Sequence, residues 1–565
     1  MKTTGAGAVI QCLLEENVDT VFGYPGGMIL PLYDALYDTP AIRQVVNFHE
    51  QGAAHAADGY ARASGKVGVC IATSGPGATN LVTGLATAFM DSVPIVAITG
   101  QVDTTLLGRD AFQEVDIMGV TMPVTKHNFQ VKDVNKLYDT LKLAFRVACT
   151  GRQGPVLVDV PKDVFLQSVE IDKQEQILNL ANWQPSADLK ISIAEAIEVI
   201  RKAKRPVIVA GGGVISAGAH QELLDFAENY HMPVVSTLMG LGGFPRSHEQ
   251  SLGLSGMHGL EAANKAVFAA DLVVAVGSRF GDRLTGNIDK YSQDKRVIHI
   301  DIDPSEIDKN VISSIGLAGD MKQILLMLTQ PTNGHDINSW WQKIKTWQRQ
   351  YQTLYDDSYL NIPWAMHYIS DLIKRKDYVI VTDVGQHQMW AAQNLKIESS
   401  RAWITSGGLG TMGFGLPAAM GAQIALGEKK RVIHIAGDGG IKMTGNEYYT
   451  IAALGLPIIS IIVNNAGLGM IRQLQKVFYK ERYIACNFAH QPDYALYAQS
   501  FGINSFNVKT PDEFKDAFRY ALASSTPQVI VVNVPSEFVY PMAKAGAGLN
   551  EFVEDLKDNI ERIVK

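Results

Sequence analysis

Arg431-Val-Ile-His-Ile-Ala-Gly-Asp-Gly-Gly440 and Pro457-Ile-Ile-Ser-Ile-Ile-Val-Asn-Asn465 are the stretches on which the fold turns. Each is a short, largely β-branched run that stops at small or amide residues. Such runs read as buried strands of a parallel sheet, each ending in a turn. If the two strands are neighbours, Asp438 and Asn465 emerge side by side in the crevice at the carboxyl ends, where open α/β sheets bind ligands. A carboxylate and a carboxamide offer two hard oxygens. That is too few for an all-protein cage but suits Mg²⁺, which keeps waters and phosphate oxygens in its shell. Gly437, Gly439 and Gly440 let the backbone come close to a diphosphate. Gly-Asp-Gly alone is more often only a turn; paired asparagines after a second strand shift the reading to a metal–diphosphate site.

Outward from this core, three blocks alternate apolar strands with helical stretches, the signature of α/β units. The first covers 1–168, with strands predicted at 20–23, 44–48, 68–73, 94–100 and 156–160. The second covers 190–328, with strands at 206–210, 233–237, 271–277 and 297–301. The third covers 362–540, with strands at 378–382, 432–436 and 458–464. The expected fold class is α/β, with three doubly wound parallel-sheet domains. Polar linkers are expected at 168–190, with a turn at 184–186, and at 329–361. The second linker carries Trp340, Trp341 and Trp347, read as the packing face of a helical strap on a neighbouring domain. A tail, 541–565, starts with small residues and ends helically, a composition that lids share with plain surface tails. Blocks one and three each place a Gly-rich turn, a small-residue helix and a Pro-led strand in series, which predicts a duplication.

At 565 residues the chain exceeds a single core, and roughly three or four domains are expected. A net charge of -7 carries no footprint for nucleic acid or an anionic membrane. No apolar run reaches the roughly 20 residues of a membrane span. Cys12, Cys70, Cys149 and Cys486 are far apart and lack metal-ligand spacing, which favours a reducing compartment. With no signal-like N-terminus, a cytoplasmic setting is expected.

Gly-Asp-Gly followed by Asn-Asn is the thiamine diphosphate motif, and from about Gly5 to Asp555 the chain resembles the acetohydroxyacid (acetolactate) synthase catalytic subunits. The resemblance rests on Gly23-Tyr-Pro-Gly-Gly27, His49-Glu-Gln-Gly52, Thr73-Ser-Gly-Pro-Gly-Ala-Thr-Asn80 and Gly154-Pro-Val-Leu-Val-Asp-Val-Pro-Lys162. Gly256-Met-His-Gly259 and Gly407-Gly-Leu-Gly-Thr-Met-Gly413 follow in the family's order. It implies pyrimidine-binding, central FAD-binding and diphosphate-binding domains. It implies thiamine diphosphate, Mg²⁺ and a structural FAD as cofactors, with pyruvate and 2-ketobutyrate as substrates. One keto acid is decarboxylated and its two-carbon unit is joined to a second, giving 2-acetolactate or 2-aceto-2-hydroxybutyrate on the way to branched-chain amino acids. The implied assembly is a homodimer or dimer of dimers, each site lying between the first domain of one subunit and the third of another. A small regulatory subunit is the further partner implied.

By the same resemblance, Glu50 bonds N1′ of the aminopyrimidine and drives proton removal through the cofactor; on its own, Glu50 reads as a carboxylate favoured at a helix N-terminus. Pro76 and Asn80 match the pyrimidine side. Gly385, Gln386 and His387 match the diphosphate stretch, with Gly437, Asp438, Gly439, Gly440, Asn465, Gly467, Leu468, Gly469 and Met470. Asp438, Asn465 and the Gly467 carbonyl are the implied metal ligands. Met412 is the implied prop for a bent cofactor; it also reads as a core methionine. Arg283 matches the hook for the acceptor carboxylate, a task suited to guanidinium. Phe112, Gln113, Lys162, Met257 and Leu474 match pocket residues, and Gly26 can present N–H groups to a developing oxyanion. FAD positions are Arg152, Gly211, Gly212, Gly213, Thr237, Leu238, Met239, Gly256, Met257, His258, Gly277, Ser278, Arg279, Arg283, Asp301 and Asp320.

Two departures stand out. Gly281 replaces a usual aspartate and is expected to loosen the loop carrying Arg283. Leu474 replaces a usual tryptophan that helps choose the acceptor. The alternatives are a pyruvate oxidase-like flavoenzyme, a fermentative acetolactate synthase and a non-catalytic flavin-binding scaffold. Glu50 disfavours a glyoxylate-joining relative. A nicotinamide dehydrogenase is disfavoured because no Gly-x-Gly-x-x-Gly opens any block.

Overall fold

Three six-stranded parallel sheets frame the chain in a computed structural model that describes residues 1–171, 185–330, 336–351, 355–373, 377–554 and 556. The first sheet runs Arg43–Val46, Thr20–Gly23, Gly68–Ala72, Ile95–Gln101, Val156–Pro161, His127–Gln130. The third runs Trp403–Ile404, Tyr378–Thr382, Arg431–Gly437, Ile459–Asn464, Gln528–Asn533, Asn504–Val508. In sequence order both read second, first, third, fourth, sixth, fifth, and this shared topology supports the duplication. The central sheet runs Ser251–Leu254, Val234–Ser236, Pro206–Ala210, Leu272–Val276, Arg296–Asp301, Ile315–Ala318. Its order, third, second, first, fourth, fifth, sixth, is that of dinucleotide-binding folds.

Every strand anticipated in the sequence is present, with ends shifted by a residue or two. Six further strands of these three sheets are not anticipated. Five of them lie at sheet edges: His127–Gln130, Ser251–Leu254, Ile315–Ala318, Trp403–Ile404 and Asn504–Val508. An edge strand has one partner and tolerates polar residues, so its apolar pattern is weak. The sixth, Gln528–Asn533, is interior and buried, and its run of valines and isoleucine was legible. Residues 168–170 are not linker: Ser168–Glu170 pairs antiparallel with Lys2–Thr4. The rest of that linker lies partly outside the described residues, including residue 184 of the expected turn, but Ser186 caps the helix Ala187–Lys202.

The helix Glu50–Ser64 ties the first unit to the third by packing on Gly415–Leu426. Both helices are rich in Ala and Gly, so their backbones touch. A Cβ on Gly421 would sit 1.8 Å from the Ala56 carbonyl oxygen, and one on Gly59 would sit 2.0 Å from that of Ala418. The tryptophan strap is the helix Asn338–Gln350. Trp340 and Trp341 are buried against the central sheet, their indole N–H groups donating to the carbonyls of Pro206 and His231.

After Asn533 the chain crosses to the central unit. Ala543 N–H donates to the Met257 carbonyl (2.6 Å) and Asn287 N–H to that of Ala547 (3.1 Å). Met542, Val553 and Leu556 pack there with Leu474 and Val477. The helical end expected for the tail begins among the described residues, with 554 and 556 helical, and otherwise lies outside them. Among the described residues no helix is long and apolar enough to cross a membrane. All four cysteines are free.

Candidate active site

In the third sheet, Tyr378–Thr382 and Arg431–Gly437 are adjacent strands whose connections leave in opposite directions. This is the switch point at which doubly wound sheets bind ligands. Arg431–Gly437 pairs with Ile459–Asn464, so Asp438 and Asn465 do follow neighbouring strands. Asp438 opens the helix Asp438–Thr444, and its Oδ2 accepts from Gly467 N–H and Gln491 Nε2, both at 3.1 Å. Burial pushes its carboxyl up to about 6, against the opposing pull of Lys442 and these donors. Asn465 Nδ2 donates to Gln386 Oε1 at 3.2 Å. His387 is buried, its imidazole pushed down to about 4 by burial, and its Nε2 has no partner among the described residues. Met412 adjoins the Gly-Asp-Gly turn: a Cβ on Gly439 would lie 3.3 Å from its Cε.

Asp383, which follows the strand Tyr378–Thr382, was not anticipated. It is buried, burial raises its carboxyl to about 6, and it accepts from Gly413 N–H through both oxygens at 3.0 Å. It thereby fixes the backbone beside Met412. A second unanticipated group is Asp91, whose carboxylate accepts from Gly407 and Gly408 N–H while Arg62 pairs with it and with Asp58. Arg62 also donates to the Thr405 carbonyl. The first unit thus holds the N-terminal side of the loop that carries Met412, and Asp383 holds its C-terminal side. An acidic residue just past a strand is the signal that could have found Asp383; Asp91 leaves none.

A cavity of about 1160 Å³ joins this sheet end to the central unit. Gly385, Gln386, His387, Met412, Gly437, Asp438, Gly439, Gly440, Asn465, Gly467, Leu468, Gly469, Met470 and Leu474 line it. So do Arg152, Gly212, Gly213, Thr237, Leu238, Met239, Gly256, Met257, His258, Gly277, Ser278, Arg279, Arg283, Asp301 and Asp320. Gly211 does not; it is buried where a Cβ would meet the Gly277 carbonyl oxygen at 2.1 Å. Arg152 pairs with Glu306 at 2.7 Å. The Arg283 side chain, 75% exposed, pairs with its neighbour Asp282 at 2.8 Å and with no other carboxylate among the described residues. Gly281, expected to loosen that loop, adopts ordinary backbone angles. It has φ -63, caps the helix Asp282–Thr285, and its carbonyl accepts from Leu284 and Thr285 N–H.

The remaining candidates gather elsewhere, in the first unit. Glu50 opens its helix, is 8% exposed, and accepts from Asn80 Nδ2 at 2.9 Å through Oε2. Asn80 ends the short helix that Pro76 begins. A Cβ on Gly77 would sit 3.2 Å from Glu50 Oε1, and one on Gly75 2.8 Å from the Gln113 carbonyl oxygen. Gln113 holds a left-handed backbone (φ 60), a strain found more often at functional sites. Phe112 beside it is 81% exposed. Gly26 packs on Thr73, and Lys162 opens the helix Lys162–Leu166. None of Gly26, Glu50, Pro76, Asn80, Phe112, Gln113 or Lys162 lines the cavity that holds Asp438 and Asn465. A single chain therefore carries two separated half-sites.

Comparison with known families matches three models, described as the N-terminal TPP binding domain (residues 3–120), central domain (193–328) and C-terminal TPP binding domain (383–532) of thiamine pyrophosphate enzymes. The fold and site thus define a thiamine diphosphate enzyme. The "Probable acetolactate synthase large subunit" of Methanocaldococcus jannaschii is 43% identical, covering 98% of this chain and 95% of its own length. The acetolactate synthase large subunit of Corynebacterium glutamicum is 45% identical (97% and 89% covered), and the isozyme 3 large subunit of Escherichia coli 42% (97% and 98%). The chain belongs to the acetolactate synthase large subunits, a family that favours the synthase over the oxidase and scaffold alternatives.

Proposed function

We propose that this protein decarboxylates pyruvate and joins the two-carbon remainder to a second 2-keto acid, pyruvate or 2-ketobutyrate, in branched-chain amino acid synthesis. The single observation that carries this reading is the pair of half-sites: Glu50–Asn80 in the first unit, Asp438–Asn465 in the third. Each is incomplete alone, and two copies of the chain facing one another would complete both. A homodimer, or a dimer of dimers, is the assembly this supports, with a cytoplasmic location and a small regulatory subunit as further parts of the reading.

The residues present fit the cofactor. Gly437 keeps the backbone close to His387, since a Cβ there would lie 3.0 Å from Nδ1, and His387 Nε2, without a partner among the described residues, is a candidate donor for a diphosphate oxygen. Among the described residues no cluster of three or more His, Cys, Asp or Glu side chains could hold a metal. Mg²⁺ would therefore rest on Asp438, Asn465, the Gly467 carbonyl and diphosphate oxygens. FAD would lie along Gly212, Gly213, Gly277 and Asp301 of the central sheet, with Arg279 and Arg152 for its phosphates; the reaction is redox-neutral, so its role is structural.

Bound thiamine diphosphate supplies the electron sink through which a 2-keto acid loses its carboxylate. Glu50 would share a proton with N1′ of the aminopyrimidine through the oxygen Asn80 leaves free. Met412, clamped by the Asp383 and Asp91 networks, would set the cofactor's bend. Arg283, whose side chain has no partner beyond Asp282 among the described residues, would take the acceptor carboxylate. Gln113 and Lys162 would come from the facing copy, and Gly26 N–H would meet the developing oxyanion.

Arg283→Ala is the test of this division of labour. The donor's carboxylate leaves as CO₂, whereas the acceptor's persists into the product. The variant should lose about 1.5–3 kcal/mol of acceptor binding, one charge-assisted pair, with CO₂ release from the first pyruvate much less affected. Parallel measurement of CO₂ and acetolactate checks this; equal damage to both counts against the assignment.

Leu474 sits in the apolar wall where the tail meets the cavity. The two acceptors differ by one methylene, worth about 1–3 kcal/mol of discrimination at most. Leucine gives a smaller, more displaceable face than tryptophan. From an equimolar mixture of pyruvate and 2-ketobutyrate the protein should form mainly acetolactate, and Leu474→Trp should shift the ratio toward acetohydroxybutyrate. A wild-type ratio already strongly favouring acetohydroxybutyrate and unchanged by the substitution would move acceptor choice to other residues.

A further inference from the structure

A chain of side-chain amides runs from Asn465 to the tail. Asn465 Nδ2 donates to Gln386 Oε1 at 3.2 Å. Gln386 Nε2 donates to Gln473 Oε1 at 2.9 Å and to the Glu537 carbonyl at 2.8 Å. Gln473 is fully buried on the helix Gly469–Phe478. Its Oε1 also accepts from Val539 N–H at 2.8 Å, and its Nε2 donates to the Val539 carbonyl at 3.0 Å and Met542 Sδ at 3.3 Å.

An amide can in general be turned end for end, but the polarity of a backbone group cannot. Val539 offers its N–H to one end of the Gln473 amide and its carbonyl to the other, which fixes where the Gln473 oxygen lies. The Glu537 carbonyl requires an N–H from Gln386, which fixes that amide too. Gln386 Oε1 must then face Asn465, and Asn465 must answer with Nδ2. Its Oδ1 is left for the cavity that Asn465 lines. The fit is close: a Cβ on Gly469 would lie 2.0 Å from Gln386 Oε1 and 2.7 Å from Asn465 Nδ2.

We infer that Gln473 is a positioning residue that transmits the backbone polarity of residues 537–539 to Asn465, so that Asn465 presents oxygen to a divalent cation. The inference rests on the metal reading proposed above. A turned Asn465 would offer its –NH₂ to the ion, which is no ligand for a hard cation. Coupling runs in both directions, so a cation held by Asn465 must also firm the tail at 537–543.

The experiment titrates Mg²⁺ at fixed thiamine diphosphate, following cofactor binding by intrinsic tryptophan fluorescence. Gln473→Met removes one of the two acceptors of Gln386 Nε2 while keeping the volume, leaving the Glu537 carbonyl alone to orient that amide, and should raise the Mg²⁺ half-saturation severalfold to about tenfold, the low end of the cost of losing a partner bonded to the ligand itself. Gln473→Glu keeps an acceptor for Gln386 Nε2 and Val539 N–H, so it should bind Mg²⁺ close to wild type even if it melts earlier. A purely structural role predicts the reverse: changed melting with unchanged Mg²⁺ titration in both variants, which would overturn the inference. Amide exchange on the wild-type protein gives a readout needing no variant. Mg²⁺ with thiamine diphosphate should slow exchange at 537–543 together with 465–470; slowing at 465–470 alone would also overturn it. Wild-type binding that ignores Mg²⁺ would instead overturn the metal reading, and this inference with it.

Discussion

Asp438→Ala is expected to leave a folded protein that no longer binds thiamine diphosphate tightly. Asp438 is the only carboxylate among the proposed ligands, and Asn465 and a carbonyl cannot replace its charge. The loss in affinity should be at least about a hundredfold, since even outer-shell changes cost 10- to 100-fold. Folding should survive. The carboxylate accepts from Gly467 N–H and Gln491 Nε2, and leaving such donors unpaired costs about 1–3 kcal/mol each. Calorimetric titration of the cofactor in limiting Mg²⁺ checks this; wild-type affinity in the variant would show that the cation is held elsewhere.

Glu50→Ala has the opposite profile: cofactor binding retained, turnover slowed by roughly 10² to 10⁴, the usual contribution of general acid–base catalysis. Glu50 is buried at a helix N-terminus with its Oε2 given to Asn80, which leaves Oε1 to face the aminopyrimidine. Deuterium exchange at C2 of the bound cofactor isolates the step. Exchange and turnover close to wild type would remove Glu50 from the chemistry.

Much of this arrangement is legible in the chain. Interior strands such as Pro206–Ala210 and Tyr378–Thr382 announce themselves because both faces are buried and both edges paired, which demands unbroken apolar runs. Asp438 and Asn465 are found by the same logic, as polar residues just past such runs. Edge strands escape because water satisfies their free side, so His127–Gln130 and Asn504–Val508 keep polar residues. The supports of the site escape for another reason. Asp91 reaches Gly407 and Gly408, and Gln473 reaches Gln386 and Val539, only once helices distant in sequence have packed. Local patterning carries no trace of those meetings. Gly281 adds a conformational detail that its residue type alone does not give: it stands at a helix cap with ordinary backbone angles.

The separation of Glu50 from the Asp438 cavity within one chain is the centre of this account, and subunit mixing tests it most directly. Glu50→Ala and Asp438→Ala proteins, each expected to have no more than about a hundredth of wild-type activity alone, are mixed, allowed to exchange subunits, and assayed for acetolactate from pyruvate. If each site takes Glu50 from one copy and Asp438 from the other, every mixed dimer carries one intact site. Random exchange then restores about a quarter of wild-type activity, as two-fold symmetry requires. If both residues serve a site within one chain, no combination is intact, and a mixture that exchanges yet stays inactive would contradict the account.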